Sequence, residues 1–154
     1  MDYPEKLVIF FDGSTEPVNP RGVSTYGFTI SDGEKILHRG SGVAAEMGDP
    51  KSTNNFAEYC ALGFALKHLQ EKEWCGELDI FGDSQLVIYQ LTEKWACNKE
   101  HLQKLRERIW KLVGEVSTVC RYGWVPREKN KVCDALSREA YEKHTGKKYP
   151  ERRK

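Results

Sequence analysis

The sequence predicts a single α/β domain in which helices flank a mixed five-stranded sheet of three antiparallel strands plus two parallel strands. Its 154 residues match the size of one domain. The predicted elements follow one another in the order βββαβααβα. Strands are predicted by alternating or continuous apolar runs, and helices by apolar residues at helical spacing. A meander followed by strands that alternate with helices favours this mixed architecture over an all-β or all-α fold.

The first three strands come before any helix. The run at 6–11 is continuously apolar and predicts a strand buried on both faces, ended by a turn signal at 12–14. Residues 25–30 alternate and predict a second strand. The hairpin signal Asp32-Gly33 then predicts an antiparallel third strand near 35–45.

The remaining elements follow in alternation. N-cap residues, short apolar runs and helical stripes of apolar side chains define them. They are a helix from the cap run at 52–55 to about 72, a strand at 77–81, a short helix to 91, a helix at 101–113, a strand at 119–125 and a helix from 130 to about 143.

The composition, 39% hydrophobic and 31% charged, is typical of a soluble globular protein. No apolar run reaches the ~20 residues of a membrane span, and the first residues lack a secretory signal pattern, so we expect no membrane association and a cytoplasmic location. The five cysteines have no zinc-site spacing, and we expect reduced thiols, mostly in the core.

Charge is unevenly distributed along the chain. Residues 143–154 hold six Lys or Arg against one acid, whereas the whole chain has a net charge of +1. We expect a domain over 1–142, followed by the end of the last helix and a basic tail that is disordered after Gly146. A basic tail on an acidic body fits a nucleic-acid partner, but a solvated tail without a specific role fits equally well.

Four acids lie where predicted elements begin or end: Asp12, Glu58, Asp83 and Asp134. Each has an ordinary structural interpretation when taken alone. Asp12 could form a turn, Asp83 could cap a helix, and Asp134 could suit a helix dipole. Glu58 stands three residues after Asn55, which is capping-box spacing.

Together the four acids predict a metal site. If the first and fourth strands are parallel neighbours, Asp12 and Asp83 converge at their carboxyl ends. Converging carboxylates repel one another and are costly to bury without a counter-charge. Oxygen-only ligands favour Mg²⁺ or Mn²⁺ over Zn²⁺, and four carboxylates can hold two ions ~3.5–4 Å apart. This pattern predicts metal-assisted hydrolysis of a phosphodiester.

In four segments, each carrying one of these acids, the sequence resembles type 1 ribonuclease H. The segments are Phe11-Asp12-Gly13-Ser14, Thr53-Asn54-Asn55-Phe56-Ala57-Glu58, Gly82-Asp83-Ser84-Gln85 and Asn130-Lys131-Val132-Cys133-Asp134-Ala135-Leu136. The resemblance covers roughly residues 6–142 and implies a ribonuclease H-like fold.

The resemblance also implies an activity. The protein would be an endonuclease that hydrolyses the RNA strand of RNA–DNA hybrids and leaves 5′-phosphate and 3′-hydroxyl ends. The four acids would hold two Mg²⁺ ions, or Mn²⁺, with Asp12 bridging both ions and a water attacking the phosphorus in line. No obligate protein partner is evident, and we expect a monomer.

Substrate contacts follow from the same resemblance. Distinguishing RNA from DNA requires contact with the 2′-hydroxyl, and amide side chains both donate and accept hydrogen bonds. Thr53 matches a position that binds a DNA phosphate, and Trp95 one that packs against the DNA strand, with core packing as the alternative for Trp95. The full set of predicted substrate-binding residues is Gly13, Ser14, Thr53, Asn54, Asn55, Gln85, Trp95, Arg127 and Asn130.

Two features depart from the family pattern. The loop before the last acid, 126–129, lacks the histidine that many relatives have there, and we hypothesise that Arg127, or alternatively Lys129, assists at the scissile phosphate. The alternative is a solvated basic turn. The basic protrusion of some relatives is missing as well, but residues 94–111 carry six Lys or Arg against two acids. We expect this face and the tail to supply hybrid affinity.

Other functions stay open at this point. The chain could be a weakly active or inactive binding module that keeps the fold, because the loop histidine is absent. It could also be another nuclease of the same superfamily, such as a resolvase or transposase core, or an unrelated α/β protein whose acids are caps and turns.

Overall fold

The computed structural model describes residues 2–150. The order of elements confirms the predicted βββαβααβα pattern. The elements are β1 (Lys6–Glu16), β2 (Val23–Ser31), β3 (Ile36–Ala45), α1 (Asn54–Glu71), β4 (Gly76–Gly82), α2 (Gln85–Leu91), α3 (Glu100–Val116), β5 (Ser117–Trp124), a single 3₁₀ turn (Arg127–Lys129) and α4 (Lys131–Thr145).

The five strands form one mixed sheet in the order β3-β2-β1-β4-β5. The β1–β2 and β2–β3 pairs are antiparallel, and β4 pairs in parallel with both β1 and β5. In the β1–β4 ladder Phe11 lies opposite Gly82, so the end of β4 lies directly beside the Phe11–Asp12 step of β1. The fold class and the predicted adjacency of the first and fourth strands are therefore confirmed.

The sheet is buried by helices on its two faces. Alternate β1 residues Leu7, Ile9 and Phe11 are fully buried, and on their side α1 packs against the sheet with α3 beside it. On the other side α4 packs against β2 and β3. Apolar burial on both faces of the central strands explains why the run at 6–11 is continuously hydrophobic.

The first strand is longer than its sequence suggests. The turn signal at 12–14 does not form a turn, because Asp12 pairs with Gly27 and Ser14 with Thr25 in the β1–β2 ladder. Strand pairing supplies the backbone hydrogen bonds that a local turn would otherwise provide. As a result, β1 carries Asp12 past the end of β4.

The beginning of the predicted disordered tail is ordered. Helix α4 ends at Gly146, which adopts a left-handed conformation with φ of 70°. Tyr149 is only 6% exposed and joins an apolar cluster with Val23 and Tyr141. Burial of this aromatic ring offsets the entropy cost of ordering the segment, so the expectation of disorder is wrong for 147–150. The last four residues of the predicted tail lie outside the described residues.

The cysteines are five free thiols. Cys97 and Cys133 are buried, while Cys75 is exposed. Within residues 2–150, none of the helices has the length and apolar character needed to cross a membrane.

Candidate metal centre and nucleic-acid cleft

Three of the four predicted acids meet at the carboxyl edge of β1 and β4. Asp12 follows the Phe11–Gly82 pair on β1, and Asp83 directly follows Gly82. Glu58 reaches them from α1. One carboxylate oxygen from each of the three lies within 4.8 Å of the others. The parallel pairing of β1 with β4 therefore produces the predicted convergence.

Gly13 allows helix α1 to approach the sheet closely enough to bring Glu58 into the site. A Cβ atom on residue 13 would lie 2.3 Å from the carbonyl carbon of Ala57, which no side chain tolerates. At this approach the Gly13 N–H donates to Glu58 Oε1 at 3.1 Å. The capping-box interpretation of Glu58 is wrong, since Thr53 caps the helix by accepting from the Phe56 N–H.

Two of the three clustered carboxylates are almost completely buried. Asp12 is 4% exposed and Glu58 6%. Burial, followed by the charges of Asp12 and Asp83, raises the pKa of Glu58 well above its ordinary value of 4.5. Among the described residues, Glu58 Oε2 is a buried acceptor without a hydrogen-bond partner. A buried all-oxygen cluster with an unsatisfied acceptor fits a hard divalent cation.

Two side chains fix Asp83. Asn130 Nδ2 donates to the Phe11 carbonyl at 2.8 Å and to Asp83 Oδ2 at 3.1 Å, tying the ends of β1 and β4 together. Trp124 Nε1 donates to the Asp83 carbonyl at 3.0 Å. Asn130 is only 2% exposed and orients Asp83, while its predicted contact with substrate stays a prediction. Trp124 was not predicted as part of the site, although its position near the end of a predicted strand is a signal that the sequence contains.

The fourth acid, Asp134, lies outside the three-carboxylate group. It occupies the first turn of α4, as predicted, and its Oδ2 accepts from Arg138 Nε at 3.0 Å. The Arg138 guanidinium also lies over the Tyr149 ring, 4.6 Å from its centroid. The ion pair with Arg138 was not predicted.

A cleft of about 790 Å³ opens above the three carboxylates. Of the predicted substrate residues, Gly13, Ser14, Asn54, Asn55 and Arg127 line it. Glu16, Pro17, Ser84 and Pro150 also line it and were missed. No local sequence signal marks Pro150, because only the long-range docking of Tyr149 brings it there.

The other predicted contacts lie outside this cleft. Thr53 serves as the N-cap of α1. Gln85 is exposed in the first turn of α2. Trp95 is 45% exposed and meets the Tyr89 ring edge-on at 5.0 Å, so core packing does not explain it. Lys129, the alternative to Arg127, lines a separate cavity beside Phe10.

The chain is similar to known proteins over most of its length. A family model described as reverse transcriptase-like matches residues 10–140. Ribonuclease HI of Halobacterium salinarum is 35% identical over 137 residues, which cover 85% of this chain and 62% of the relative. The chain thus spans less than two thirds of that relative.

Solved structures of ribonuclease H1 proteins match over nearly their whole length. The crystal structure from Halobacterium salinarum superposes with a TM-score of 0.79 at 30% identity, covering 90% of this chain and 98% of that one. LC11-RNase H1, solved in complex with an RNA/DNA hybrid, gives 0.80 at 30% identity with the same coverage. The sequence similarity, the sheet order and the acids on β1 and after β4 thus lead to one conclusion: the chain belongs to the type 1 ribonuclease H family.

Proposed function

We propose that this protein is a metal-dependent endoribonuclease that hydrolyses the RNA strand of RNA–DNA hybrids and leaves 5′-phosphate and 3′-hydroxyl ends. The observation that carries the proposal is the cluster of Asp12, Glu58 and Asp83 in an open cleft, where Asp12 and Glu58 are buried and Asp83 is partly buried. The hybrid bound to the LC11 relative supports the choice of substrate. We assign the catalytic domain to residues 1–142.

Asp12, Glu58 and Asp83 would hold the metal, and we include Asp134 as a fourth ligand for a second ion. We propose Mg²⁺, with Mn²⁺ as the alternative, because all the available donors are oxygens. Bound divalent ions would neutralise charge on the phosphate and lower the pKa of water.

The residues around the acids hold the site in shape. The Gly13 N–H fixes one oxygen of Glu58, while Asn130 and Trp124 fix Asp83 from its side chain and its carbonyl. A site held in place before substrate arrives needs little reorganisation during the reaction. These residues therefore act by positioning the acids.

The cleft residues would bind the hybrid. Asn54 Oδ1 accepts from the Thr15 N–H at 2.8 Å, so its NH₂ group is the donor it would offer a 2′-hydroxyl. Asn55, Gly13 and Ser14 line the same wall. We assign Thr53, Gln85 and Trp95 to contacts further along the duplex, outside the cleft.

Arg127 would replace the missing loop histidine at the scissile phosphate. It is exposed and lines the cleft, whereas Lys129 does not. A guanidinium can bind two phosphate oxygens at once, but it stays charged and cannot transfer a proton. We therefore propose that Arg127 orients the phosphate and does not act as a general acid.

Affinity for the hybrid would come from the basic face over 94–111 as well as from the C-terminal residues. We further propose that the protein works as a monomer in the cytoplasm.

The ion pair between Asp134 and Arg138 favours a second candidate, a weakly active member of the family that mainly binds nucleic acid. In that case the fourth acid would be unavailable to a second ion.

The test is cleavage of an end-labelled RNA–DNA hybrid with Mg²⁺, with Mn²⁺ and with chelator. Asp12→Asn should abolish cleavage. Asp79→Asn is the matched control, because Asp79 stands on β4 but pairs with Lys6 and Arg121 away from the cleft. Metal-dependent cutting that Asp12→Asn loses and Asp79→Asn keeps supports the enzyme. Binding without cutting under either metal would support the second candidate.

A further inference from the structure

Lys147–Pro150, the four residues after the C-cap Gly146 of α4, form a C-terminal strap docked beside the proposed metal centre. The Tyr149 hydroxyl donates to Ser14 Oγ at 2.9 Å, two residues along β1 from Asp12. Its backbone N–H donates to Glu142 Oε2 at 2.8 Å, and its ring meets Tyr141 edge-on at 5.4 Å. The strap is thus held at its side chain and at its backbone.

The strap borders two neighbouring cavities, which we treat as one groove. Pro150 and Pro17 line the cleft above the carboxylates, and both also line a second cavity of about 510 Å³. The second cavity continues past the strap and is lined by Lys147, Lys148 and His144. A strand lying over the carboxylates can therefore continue across the two prolines to the two lysines.

The charges along this groove change sign. Acids dominate the cleft, where Arg127 is the one Lys or Arg among the described lining residues. In the second cavity the exposed Lys147 and Lys148 face one acid, Glu46, which already binds His144 Nε2 at 2.7 Å. Two lysines on a docked segment beside an open groove are suited to backbone phosphates.

We propose that the strap is a phosphate-binding segment of the nucleic-acid cleft. Lys147 and Lys148 bind backbone phosphates of the strand that leaves the carboxylates across Pro17 and Pro150. Tyr149 is the positioning residue that keeps both lysines at the groove. This inference rests on the proposed function, since it takes the nucleic acid bound over the carboxylates as its ligand.

Docking by Tyr149 matters because lysine side chains on a loose terminus would lose more entropy on binding. The ring, buried against Tyr141 and under Arg138, fixes the backbone between the two lysines and the cleft. Removing the anchor should therefore weaken phosphate binding even when both lysines are present.

The test is equilibrium binding of a labelled RNA–DNA hybrid, measured at several salt concentrations in an Asp12→Asn background that prevents cutting. In the double variant Lys147→Ala/Lys148→Ala, the plot of log affinity against log salt should become shallower, with the magnitude of its negative slope reduced by about 1.5. The affinity itself should fall roughly 10-fold near 0.1 M salt. Tyr149→Ala should lower the slope similarly with both lysines in place. Tyr149→Phe, which keeps the ring, should retain most of the affinity.

The charge-matched control is Lys35→Ala/Lys72→Ala. Lys35 lies in the β2–β3 turn and Lys72 follows α1, both at the end of the sheet opposite the cleft. This control should keep the parental slope. All binding is measured below the unfolding temperature of each variant, so that lost stability does not count as lost affinity.

Kinetics of chains with Asp12 intact separate this inference from the proposed function. The lysine double variant should raise KM with kcat within about 2-fold, as expected for lost uniform binding. If the parent cuts the hybrid but Tyr149→Ala keeps its salt slope, or the lysine variant behaves like the control, the strap proposal is overturned and the nuclease stands. If the parent neither binds nor cuts the hybrid, both fail.

Discussion

Replacing Glu58 by glutamine should stabilise the metal-free protein while weakening its response to metal. The Glu58 carboxylate is buried, and one of its oxygens lies within 4.8 Å of oxygens of Asp12 and Asp83. Glutamine has nearly the same shape, and its Oε1 can still accept from the Gly13 N–H. The substitution therefore removes a proton-binding, repelling group without leaving a cavity.

The size of the gain follows from Coulomb's law. Two unit charges 4.8 Å apart repel by about 3.5 kcal/mol at an effective dielectric of 20, and by about 0.9 kcal/mol in water. We expect Glu58→Gln to raise the free energy of unfolding by about 1–3 kcal/mol at pH 8 in chelator. For a chain of this size that is a rise of roughly 2–10 °C in Tm.

The gain should depend on pH in a defined direction. Because the pKa of Glu58 is raised in the folded protein, the folded state holds this proton above pH 4.5 when the unfolded chain has lost it. Stability of the parent therefore falls as the pH rises above this value, and the variant lacks that loss. The difference in the free energy of unfolding between the two proteins should be small near pH 4.5 and larger at pH 8.

The assay is thermal unfolding followed by circular dichroism, with chelator and then with Mn²⁺. Glu71→Gln, an exposed acid near the other end of α1, is the control and should leave Tm nearly unchanged. The rise in Tm on adding Mn²⁺ should be larger for the parent than for Glu58→Gln. A Tm for Glu58→Gln at or below that of the parent at pH 8 in chelator would refute the argument that these carboxylates repel one another.

Three further predictions concern other parts of the molecule. Asn130→Ala should lower kcat at least ~10-fold with little change in KM, because the variant loses the hydrogen bond that orients Asp83. A change confined to KM in steady-state kinetics would contradict this prediction. Arg127→Ala should lower kcat/KM by roughly 10- to 100-fold through a lost phosphate contact, and unchanged turnover would rule that contact out. Burial lowers the pKa of His38 and His68, whose rings stack at 3.8 Å, so the free energy of unfolding should fall as the pH drops below 6.5. In thermal unfolding at pH 5, His38→Phe should lose less stability than the parent. An equal loss in both proteins would show that it arises from other groups.

Much of the site could be predicted because it follows from topology. The carboxyl ends of neighbouring parallel strands share one edge of a sheet, so Asp12 and Asp83 had to converge once β1 and β4 were paired. Glu58 was predictable from the resemblance. Its binding to the Gly13 N–H required the close approach of helix and strand.

The parts that escaped prediction depend on side chains from distant segments. Asn130 resembled a substrate-binding residue, yet contacts with Phe11 and Asp83 bury it. Tyr149 docks on Ser14, which is 135 residues away in the sequence, so residues 147–150 are ordered although their composition is basic. Composition describes the average solvation of a segment and cannot reveal one aromatic anchor within it.

The central claim is that the carboxylate cluster hydrolyses the RNA strand of a hybrid, and strand-resolved cleavage tests it most directly. One sequence is prepared as an RNA–DNA hybrid and as a DNA duplex, each strand is labelled in turn, and the product ends are identified with Mg²⁺ present. We expect cuts only in the RNA strand of the hybrid, with 5′-phosphate and 3′-hydroxyl ends. Cutting of DNA strands at a comparable rate, or an intact hybrid after incubation with folded, metal-loaded protein, would contradict the claim.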